Sequence, residues 1–349
     1  MRLLVRNRFA VHWRYWYIAA IITLISILHT LLRLFQTLRY GRQLARTKIR
    51  HAPIFIIGHW RTGTTLLHEL MILDDRHNYP TTYECLSPNH FLLTEKFFSQ
   101  WMRFLLPAHR PMDNMAAGWD RPQEDEFALC MLGQPSPYLT VAFPNHGPVF
   151  PEYLDLEGLS PRALAGWKKT FLGFLQQITA RDSRRLVLKS PPHTARIKVL
   201  LEMFPNARFI HIVRSPYVIF PSTVHLWKSL YRNHGLQEPN YQGLEEYVFT
   251  TFLHLYEKLE EGKKLVDKSR FYELRYEDLI ADPIHQMRAL FDHLELGEFE
   301  RVLPKLDDYL RSVEGYETNK YEITPEMRSK IAQRWGPVIR RYGYERGGK

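Results

Sequence analysis

Cysteine is scarce in this chain, since only Cys85 and Cys130 occur among its 349 residues. Two cysteines cannot build the disulfide framework on which small secreted domains depend. The sequence also contains no Asn-x-Ser/Thr acceptor for N-glycosylation. It has no internal repeat and no low-complexity tract. These absences favour a globular protein in a reducing compartment over a secreted or lumenal one.

Acidic residues are missing from the first fifty positions, which hold ten lysines and arginines and no aspartate or glutamate. The whole chain carries a net charge of +10, so the remaining residues hold 37 basic and 37 acidic side chains and are neutral overall. Proteins that bind nucleic acid nonspecifically need a basic surface. The charge pattern therefore argues against a nucleic-acid partner and places all the excess charge near the N-terminus.

One apolar run occupies residues 15–32 within that basic segment and is long enough to cross most of a bilayer. A thin polar stripe interrupts it at helical spacing: Thr23, Ser26, Thr30, Arg33 and Thr37. The pattern fits a helix lying in or dipping into one leaflet, a single span, or a soluble helix docked on its own domain. No small-residue cleavage site follows, which argues against a signal peptide.

Five basic residues separate this run from the rest of the chain: Arg39, Arg42, Arg46, Lys48 and Arg50. Positive charge flanking an apolar helix is typical of its cytoplasmic side and attracts anionic lipids. We therefore expect the cytoplasmic face of a membrane, with monotopic or single-pass attachment, rather than the Golgi lumen.

Residues 53–67 combine a β-like run, a glycine loop and a helical pattern. A helix N-terminus that follows such a loop aims backbone N–H groups at an anion. The spacing from Gly58 to Gly63 matches a Walker A loop, but Thr64 stands where that motif has its lysine. Arg61 supplies the basic group instead. The segment predicts a phosphate site, and its alternative is a glycine turn in an α/β core.

A second candidate anion site follows residues 206–214, which read as a buried strand ending in Arg214. Ligands of doubly wound sheets bind at the carboxyl ends of strands. Ser222 lies eight residues further on and adds a hydroxyl to the arginine fork. Taken alone, Arg214 fits an ion-pair partner equally well. Together the two motifs indicate a nucleotide with phosphate at both ends.

The combination resembles the sulfotransferases that use 3′-phosphoadenosine 5′-phosphosulfate (PAPS), more closely the tyrosylprotein-type and bacterial branch than the cytosolic small-molecule enzymes. The resemblance covers residues 53–341. It implies that the first motif holds the 5′-phosphosulfate through Arg61, Thr62, Gly63, Thr64 and Thr65. It implies that Arg214 and Ser222 hold the 3′-phosphate, with Lys189 facing the sulfuryl group.

Two more positions follow from that resemblance. Tyr276, in the segment Tyr276-Glu277-Asp278, is expected near the adenine, and its alternative is a half-buried core tyrosine. Lys320 is expected to close over the 3′-phosphate, and its alternative is a solvated lysine.

The base that accepts the proton of the acceptor hydroxyl has three candidates. Glu84 corresponds to the glutamate of the tyrosylprotein-type enzymes, although its segment is about two residues longer here. His193 follows a strand, as the histidine of the cytosolic enzymes does, with a different spacing from its lysine. The third is one acid of residues 124–126, whose alternative role is the first turn of a helix.

The fold expected from these patterns is α/β, a P-loop-like three-layer architecture with a central parallel sheet, plus the N-terminal hydrophobic helix. We divide the chain into a membrane-associating segment 1–50 and a sulfotransferase domain 51–349. Helical patterns cover 162–180, 195–203, 244–266, 283–294 and 325–340. Residues 107–161 read as an irregular insertion, a kind of segment that often builds an acceptor pocket or a lid.

The expected activity is metal-independent, in-line transfer of a sulfuryl group from PAPS to a hydroxyl, on a lipophilic alcohol such as a sterol, lipid or glycolipid. The histidines show no metal-ligand spacing. Two other functions remain open: a P-loop NTPase or small-molecule kinase, and a non-catalytic membrane-associated nucleotide-binding protein. The missing Walker lysine disfavours the first of these.

Overall fold

The computed structural model describes residues 2–101, 118–313 and 321–345. The chain forms two compact units. The first, called here the N-terminal unit, comprises Met1–Ile49, Pro80–Ser183 and Val224–Tyr247. The second, called here the sheet unit, comprises Arg50–Tyr79, Arg184–Thr223 and Val248–Lys349.

The described α-helices are, in chain order, α1 (Arg2–Arg6), α2 (Trp16–Arg46), α3 (Thr64–Met71), α4 (Thr82–Leu86), α5 (Phe91–Trp101), α6 (Asp125–Met131), α7 (Pro161–Arg181), α8 (Ile197–Met203), α9 (Pro216–His234), α10 (Leu244–Lys263), α11 (Tyr276–Ala281), α12 (Pro283–His293), α13 (Leu303–Ser312) and α14 (Pro325–Arg341). The strands are β1 (Ile54–Ile57), β2 (His77–Asn78), β3 (Arg185–Lys189), β4 (Arg208–Val213) and β5 (Phe271–Arg275).

The five strands form one parallel sheet in the order β2-β3-β1-β4-β5. Ile56 of β1 is in register with Lys189 of β3 and with Ile210 of β4. The carboxyl ends of the three central strands therefore lie at one edge of the sheet, which is where ligands of such sheets bind. The predicted parallel sheet is confirmed, and β2 is a strand that the sequence pattern missed.

Apolar side chains cover both faces of the sheet. On one face, Ile54, Ile56 and Ile210 are fully buried in one cluster with Leu67 of α3 and Phe291 of α12. Helices thus lie against a strand surface that is largely hydrophobic.

The opposite face carries aromatic contacts. Phe55 stacks on Phe209 with ring centroids 5.5 Å apart, and His211 lies 5.9 Å from Tyr256 of α10. Trp335 of α14 stacks on Phe252 at 3.7 Å. Helices cover both faces, so the expected three-layer architecture is confirmed.

The long helix α2 lies along the N-terminal unit rather than projecting from it. Near its start, the Tyr15 hydroxyl donates to Glu238 at 2.9 Å. Near its end, the buried Gln36 side chain bonds Gln177 at 2.7 Å and accepts from the Leu92 backbone at 3.0 Å. Both ends of the helix are therefore fixed to the same unit.

The outward side of α2 is apolar and exposed. Its most exposed side chains follow helical spacing and include Tyr17, Leu24, Leu28, Leu31, Phe35 and Leu38. Only 6% of its most apolar window, with a mean hydropathy of 2.1, is buried. The hydroxyls of Thr23 and Thr30 donate to the carbonyls of Ala19 and Ser26, which satisfies them inside the helix. This surface is suited to an apolar environment.

The insertion at 107–161 contains more helix than expected. Its residues 107–117 lie outside the described part of the chain. Asp125 and Glu126 form the first turn of α6, as the alternative interpretation of residues 124–126 predicted. Short 3₁₀ turns follow at Pro137–Ala142, Pro144–His146 and Pro151–Tyr153.

Two helix boundaries differ from their predicted positions by two or more residues. Helix α8 begins at Ile197, because Pro191–Ala195 forms a 3₁₀ turn whose two prolines cannot donate backbone hydrogen bonds. Helix α10 ends at Lys263, short of the predicted residue 266.

Candidate active site

The loop between β1 and α3 turns sharply through three residues with positive φ. Gly58 has a φ of 152°, Arg61 of 72° and Gly63 of 101°. The Thr62 backbone and hydroxyl both donate to the His59 carbonyl, at 3.2 and 2.7 Å, and close the loop on itself. Because the first N–H groups of an α-helix have no partner within the helix, the start of α3 at Thr64 directs them into this loop. Such a loop can hold a phosphate.

Gly63 is required by the close approach of Tyr276. A Cβ atom at position 63 would lie 2.3 Å from the Tyr276 ring. The buried ring also carries the Arg214 guanidinium, whose Cζ lies 4.0 Å from its centroid. Tyr276 therefore packs against Gly63 of the first predicted anion motif and against Arg214 of the second. Neither role predicted for Tyr276 included contact with both motifs.

Arg61, Arg214 and Ser222 of the two predicted motifs lie close together in the sheet unit. Arg61 Nε donates to the Ser222 hydroxyl at 2.8 Å. Arg214 Nη1 donates to the Arg61 carbonyl at 3.1 Å. Burial lowers the pKa of Arg214 from its ordinary value, and the nearby Tyr276 and Glu277 oppose this effect. One guanidinium group thus donates to the Ser222 hydroxyl and the other to the Arg61 backbone, and two neighbouring guanidinium groups are suited to phosphate.

Lys189 ends β3 beside the same loop. Its Nζ lies 3.5 Å from the Thr65 hydroxyl, and the residue is 2% exposed. Thr194, which the sequence pattern did not reveal, also holds the loop. Its hydroxyl accepts a hydrogen bond from the Gly58 N–H at 2.8 Å and donates one to the Gly58 carbonyl at 3.1 Å. Burial lowers the pKa of His59 to about 4, so the positive charge of the loop comes from Arg61.

A second unpredicted contact holds the turn that follows β4. Glu277 accepts the Ser215 N–H at 2.9 Å and the Tyr344 hydroxyl at 2.7 Å. Arg275 lies 4.4 Å from the centroid of the Tyr344 ring. Since Ser215 follows Arg214 directly, the hydrogen bond from the Ser215 N–H to Glu277 fixes the backbone next to Arg214. Its partners are far apart in sequence, so no local spacing could have revealed it.

Glu84 belongs to the N-terminal unit and is fully buried. Its Oε2 accepts the Thr81 N–H at 2.7 Å in a capping box at the start of α4, and its Oε1 lies 2.9 Å from Arg181 of α7. Arg181 also pairs with Glu95. Burial raises the pKa of Glu84 to about 7, against the opposing effect of Arg181. A carboxyl that titrates near neutral pH suits proton transfer.

The other candidate bases have different surroundings. His193 is buried in the 3₁₀ turn after β3, edge-on to Phe55 at 5.4 Å. In the N-terminal unit, Glu124 accepts a hydrogen bond from the Tyr138 hydroxyl and Glu126 accepts one from the Ser136 hydroxyl, each at 2.5 Å. Asp125 is fully buried.

Lys320 lies outside the described residues. Within the described ranges, no group of three or more His, Cys, Asp or Glu side chains is arranged to hold a metal ion.

Comparison of the sequence with known proteins identifies relatives over almost its whole length. Residues 53–301 match the sequence model of the Sulfotransferase family. The chain is 56% identical over 346 residues to the omega-hydroxy-beta-dihydromenaquinone-9 sulfotransferase Stf3 of Mycobacterium bovis, a match that covers 99% of this chain and 89% of that protein.

Solved structures share the fold at low sequence identity. Sulfotransferase STF9 from Mycobacterium avium aligns with a TM-score of 0.66 and 16% identity, over 88% of this chain and 80% of its own. Sulfotransferase STF1 from Mycobacterium tuberculosis aligns with a TM-score of 0.63 and 19% identity, over 89% of this chain and 83% of its own.

Membership of the family implies PAPS as the co-substrate. The paired anion motifs at the edge of the sheet, the family match and the similarity to a curated sulfotransferase lead to one conclusion. The chain belongs to the sulfotransferase family and is an enzyme that transfers a sulfuryl group to an acceptor hydroxyl.

Proposed function

We propose that the protein moves the sulfuryl group of PAPS to a hydroxyl on a membrane-resident isoprenoid quinone or a related lipid alcohol. The relative that is 56% identical over 99% of this chain carries the proposal, since its name specifies a hydroxylated dihydromenaquinone as acceptor. The exposed apolar side of α2 supports it, because that surface allows the enzyme to work beside a bilayer, where such an acceptor resides.

The donor binds in the sheet unit through both of its phosphates. Backbone N–H groups of Gly63, Thr64 and Thr65 hold the 5′-phosphosulfate, while Thr62 keeps the loop closed. Arg214 and Ser222 hold the 3′-phosphate, and the Arg61–Ser222 hydrogen bond connects the two ends of the site. Lys320 remains a candidate for closing over the 3′-phosphate.

Transfer is a direct displacement at sulfur. The acceptor oxygen forms a new S–O bond as the bond between sulfur and the bridging phosphate oxygen breaks, which releases adenosine 3′,5′-bisphosphate. Arg61 and Lys189 stabilise the negative charge that develops on the bridging and sulfuryl oxygens. Fixing the donor at both ends lowers the entropic part of the barrier. The acceptor proton goes to a protein base.

Glu84 is the base that the electrostatics favour among the three candidates. Its pKa of about 7 leaves a substantial ionised fraction at neutral pH. His193 packs edge-on against the Phe55 ring, and the Glu124 and Glu126 carboxylates accept hydrogen bonds from the Tyr138 and Ser136 hydroxyls. The capping-box bond to Thr81 and the Arg181 ion pair hold the Glu84 carboxylate in a defined orientation.

The protein works at the surface of a membrane, with α2 lying in the plane of one leaflet. Contacts at both ends of α2 with the same unit support in-plane attachment over a single span. The basic residues after the apolar run support the cytoplasmic face.

The acceptor is tested by presenting alcohols in vesicles together with radiolabelled PAPS. We expect sulfation of a hydroxylated menaquinone and of shorter isoprenoid alcohols, and little turnover on soluble phenols or sugars. An Arg61→Ala variant serves as the inactive control. Turnover confined to soluble sugars would contradict a lipid acceptor.

The 3′-phosphate site is tested by calorimetric titration without Mg²⁺. The wild type should bind adenosine 3′,5′-bisphosphate about 100-fold more tightly than ADP, because two charge-assisted contacts to the 3′-phosphate contribute roughly 3 kcal/mol. Arg214→Ala should abolish that preference while ADP binding changes little. Equal affinity of the wild type for both nucleotides would contradict the assignment of the 3′-phosphate to Arg214 and Ser222.

The hydrogen bond from the Ser215 N–H to Glu277, next to Arg214, gives a second binding prediction. Glu277→Ala should weaken bisphosphate binding about tenfold, since the Ser215 N–H loses its acceptor and Arg214 its fixed backbone. Tyr344→Phe removes only the second contact of Glu277 and should have a smaller effect. Binding of adenosine 5′-phosphate provides the control. If it weakens as much as bisphosphate binding does, Glu277 supports the fold as a whole rather than the 3′-phosphate site.

The base is tested by the pH dependence of kcat/KM. The ionised form of the base accepts the proton, so kcat/KM should rise tenfold per pH unit below the Glu84 pKa of about 7 and level off above it. Glu84→Gln keeps the capping box, removes this rise and lowers kcat by a factor on the order of 10² to 10⁴. Glu95→Gln is the matched control, since Glu95 shares Arg181. A profile unchanged by Glu84→Gln but lost in His193→Gln would assign the base to His193.

A further inference from the structure

An open cleft of about 310 Å³ lies in the N-terminal unit, at the turn after α1. Arg6, Asn7, Arg8, Ala10 and His146 line it. Two arginines and a histidine thus face a common space, and none of the described residues that line it is acidic. We call this the arginine cleft. Its lining can provide charged guanidinium donors to a single anion.

The turn that carries the two arginines is held from several sides. Asn7 is buried, donates to the Leu3 carbonyl at 2.9 Å and accepts from His146 Nδ1 at 2.8 Å. Gln237 donates to the Ala10 carbonyl at 3.0 Å. The loop backbone is therefore ordered before any ligand binds, which lowers the entropic cost of binding.

The backbone conformation places a charged and an aromatic side chain next to each other. Arg8 and Phe9 both have positive φ, 50° and 55°, a left-handed conformation that is uncommon outside glycine. Both side chains are exposed. Arg6 is held over the Phe150 ring, with its Cζ 3.8 Å from the centroid.

Apolar surface adjoins the cleft and continues into the outward side of α2. Phe9 is 44% exposed and stacks with Trp16, the first residue of α2, at 6.4 Å. Val5 and Trp13 are also exposed, at 57% and 76%. A free anion in water needs no apolar rim around its site. Arginines beside exposed aromatic side chains fit the boundary between phosphate headgroups and acyl chains.

The breadth of the apolar side favours a bilayer over a second copy of the chain. Besides the exposed side chains of α2 named in the description of the fold, Ile22, Ile25, Ile27 and Leu34 are at least 45% exposed. A two-helix seam uses a narrow stripe, whereas a helix in a leaflet exposes a wide one. The first fifty residues carry no acidic side chain, which is complementary to an anionic membrane.

We propose that the arginine cleft binds the phosphate of an anionic phospholipid and fixes the N-terminal end of α2 at the headgroup level. The inference rests on the membrane attachment proposed above and adds a specific lipid site to it. Arg6 and Arg8 contact the phosphate oxygens, while Phe9, Trp13 and Trp16 enter the acyl boundary beside it. The basic residues after α2 add attraction that does not depend on headgroup chemistry.

The test is flotation of the full-length protein with vesicles of three compositions: phosphatidylcholine alone, phosphatidylcholine with phosphatidylglycerol, and phosphatidylcholine with oleate. Phosphatidylglycerol supplies an anionic phosphate and oleate an anionic carboxylate. The cleft variant Arg6→Gln/Arg8→Gln is compared with Arg42→Gln/Arg46→Gln, which removes the same charge at the other end of α2. Arg6→Lys/Arg8→Lys keeps the charge and removes the guanidinium fork.

On phosphatidylglycerol vesicles, we expect the cleft variant to lose at least tenfold more partitioning than the control variant, with the lysine variant intermediate. On oleate vesicles, the two glutamine variants should lose equally. Equal losses on phosphatidylglycerol overturn the lipid site, and so does a lysine variant that matches the wild type. Competition by glycerol phosphate in solution, without any preference for vesicles, would assign the cleft to a soluble phosphate ester and overturn the lipid site.

Binding of adenosine 3′,5′-bisphosphate by every variant serves as the folding control, because the cleft and the nucleotide motifs belong to different units. Wild-type protein that binds the nucleotide but no vesicle would overturn both the cleft site and the membrane attachment, and leave the sulfotransferase activity untouched. Self-association of the wild type by sedimentation, lost when Leu28 and Leu31 are replaced by serine, would instead assign the apolar side of α2 to a second copy.

Discussion

Positive charge gathered at one edge of the sheet is the constraint on which the active site depends. Arg61, Lys189 and Arg214 come from three different parts of the chain, and like charges repel. The contacts that orient them include the Ser222 hydroxyl for Arg61, the Thr65 hydroxyl for Lys189, and the Arg61 carbonyl with the Tyr276 ring for Arg214. Three basic groups held at one edge of the sheet attract a ligand with several anionic groups, which is what a bisphosphate nucleotide offers.

The same arrangement explains why a Walker lysine is dispensable here. In a Walker A loop, the lysine reaches the phosphates from the start of the helix. In this chain Thr64 occupies that position, and the charge arrives from Arg61 within the loop and from Lys189 on the neighbouring strand. The left-handed backbone of Arg61 and the absence of a Cβ at Gly63 make room for this geometry. The loop thus keeps the shape of a Walker A loop, while its positive charge comes from different residues.

The sequence predicted those parts of the site whose residues are neighbours along the chain. A strand, a glycine loop and a helix start follow one another in sequence, and so do a strand, Arg214 and Ser222; the structure brings these together. The contacts of Thr194, Glu277 and Tyr344 join residues distant in the chain, and no periodicity encodes such pairs. Strand β2 escaped prediction because His77 and Asn78 lack the apolar run that identifies the other strands. The apolar run 15–32 predicted a helix, whereas its docking depends on the Gln36–Gln177 and Tyr15–Glu238 pairs, which become visible only after folding.

Those two pairs also set an order of events during synthesis. Gln177 follows Gln36 by 141 residues, and Glu238 follows Tyr15 by 223. At about 5 to 20 residues per second, α2 leaves the ribosome roughly 10 to 45 s before its last partner exists. For that time the side of α2 that docks on the N-terminal unit has no folded partner. Docking of α2 therefore follows the synthesis of both partner segments, and its tertiary contacts form late in the production of the chain.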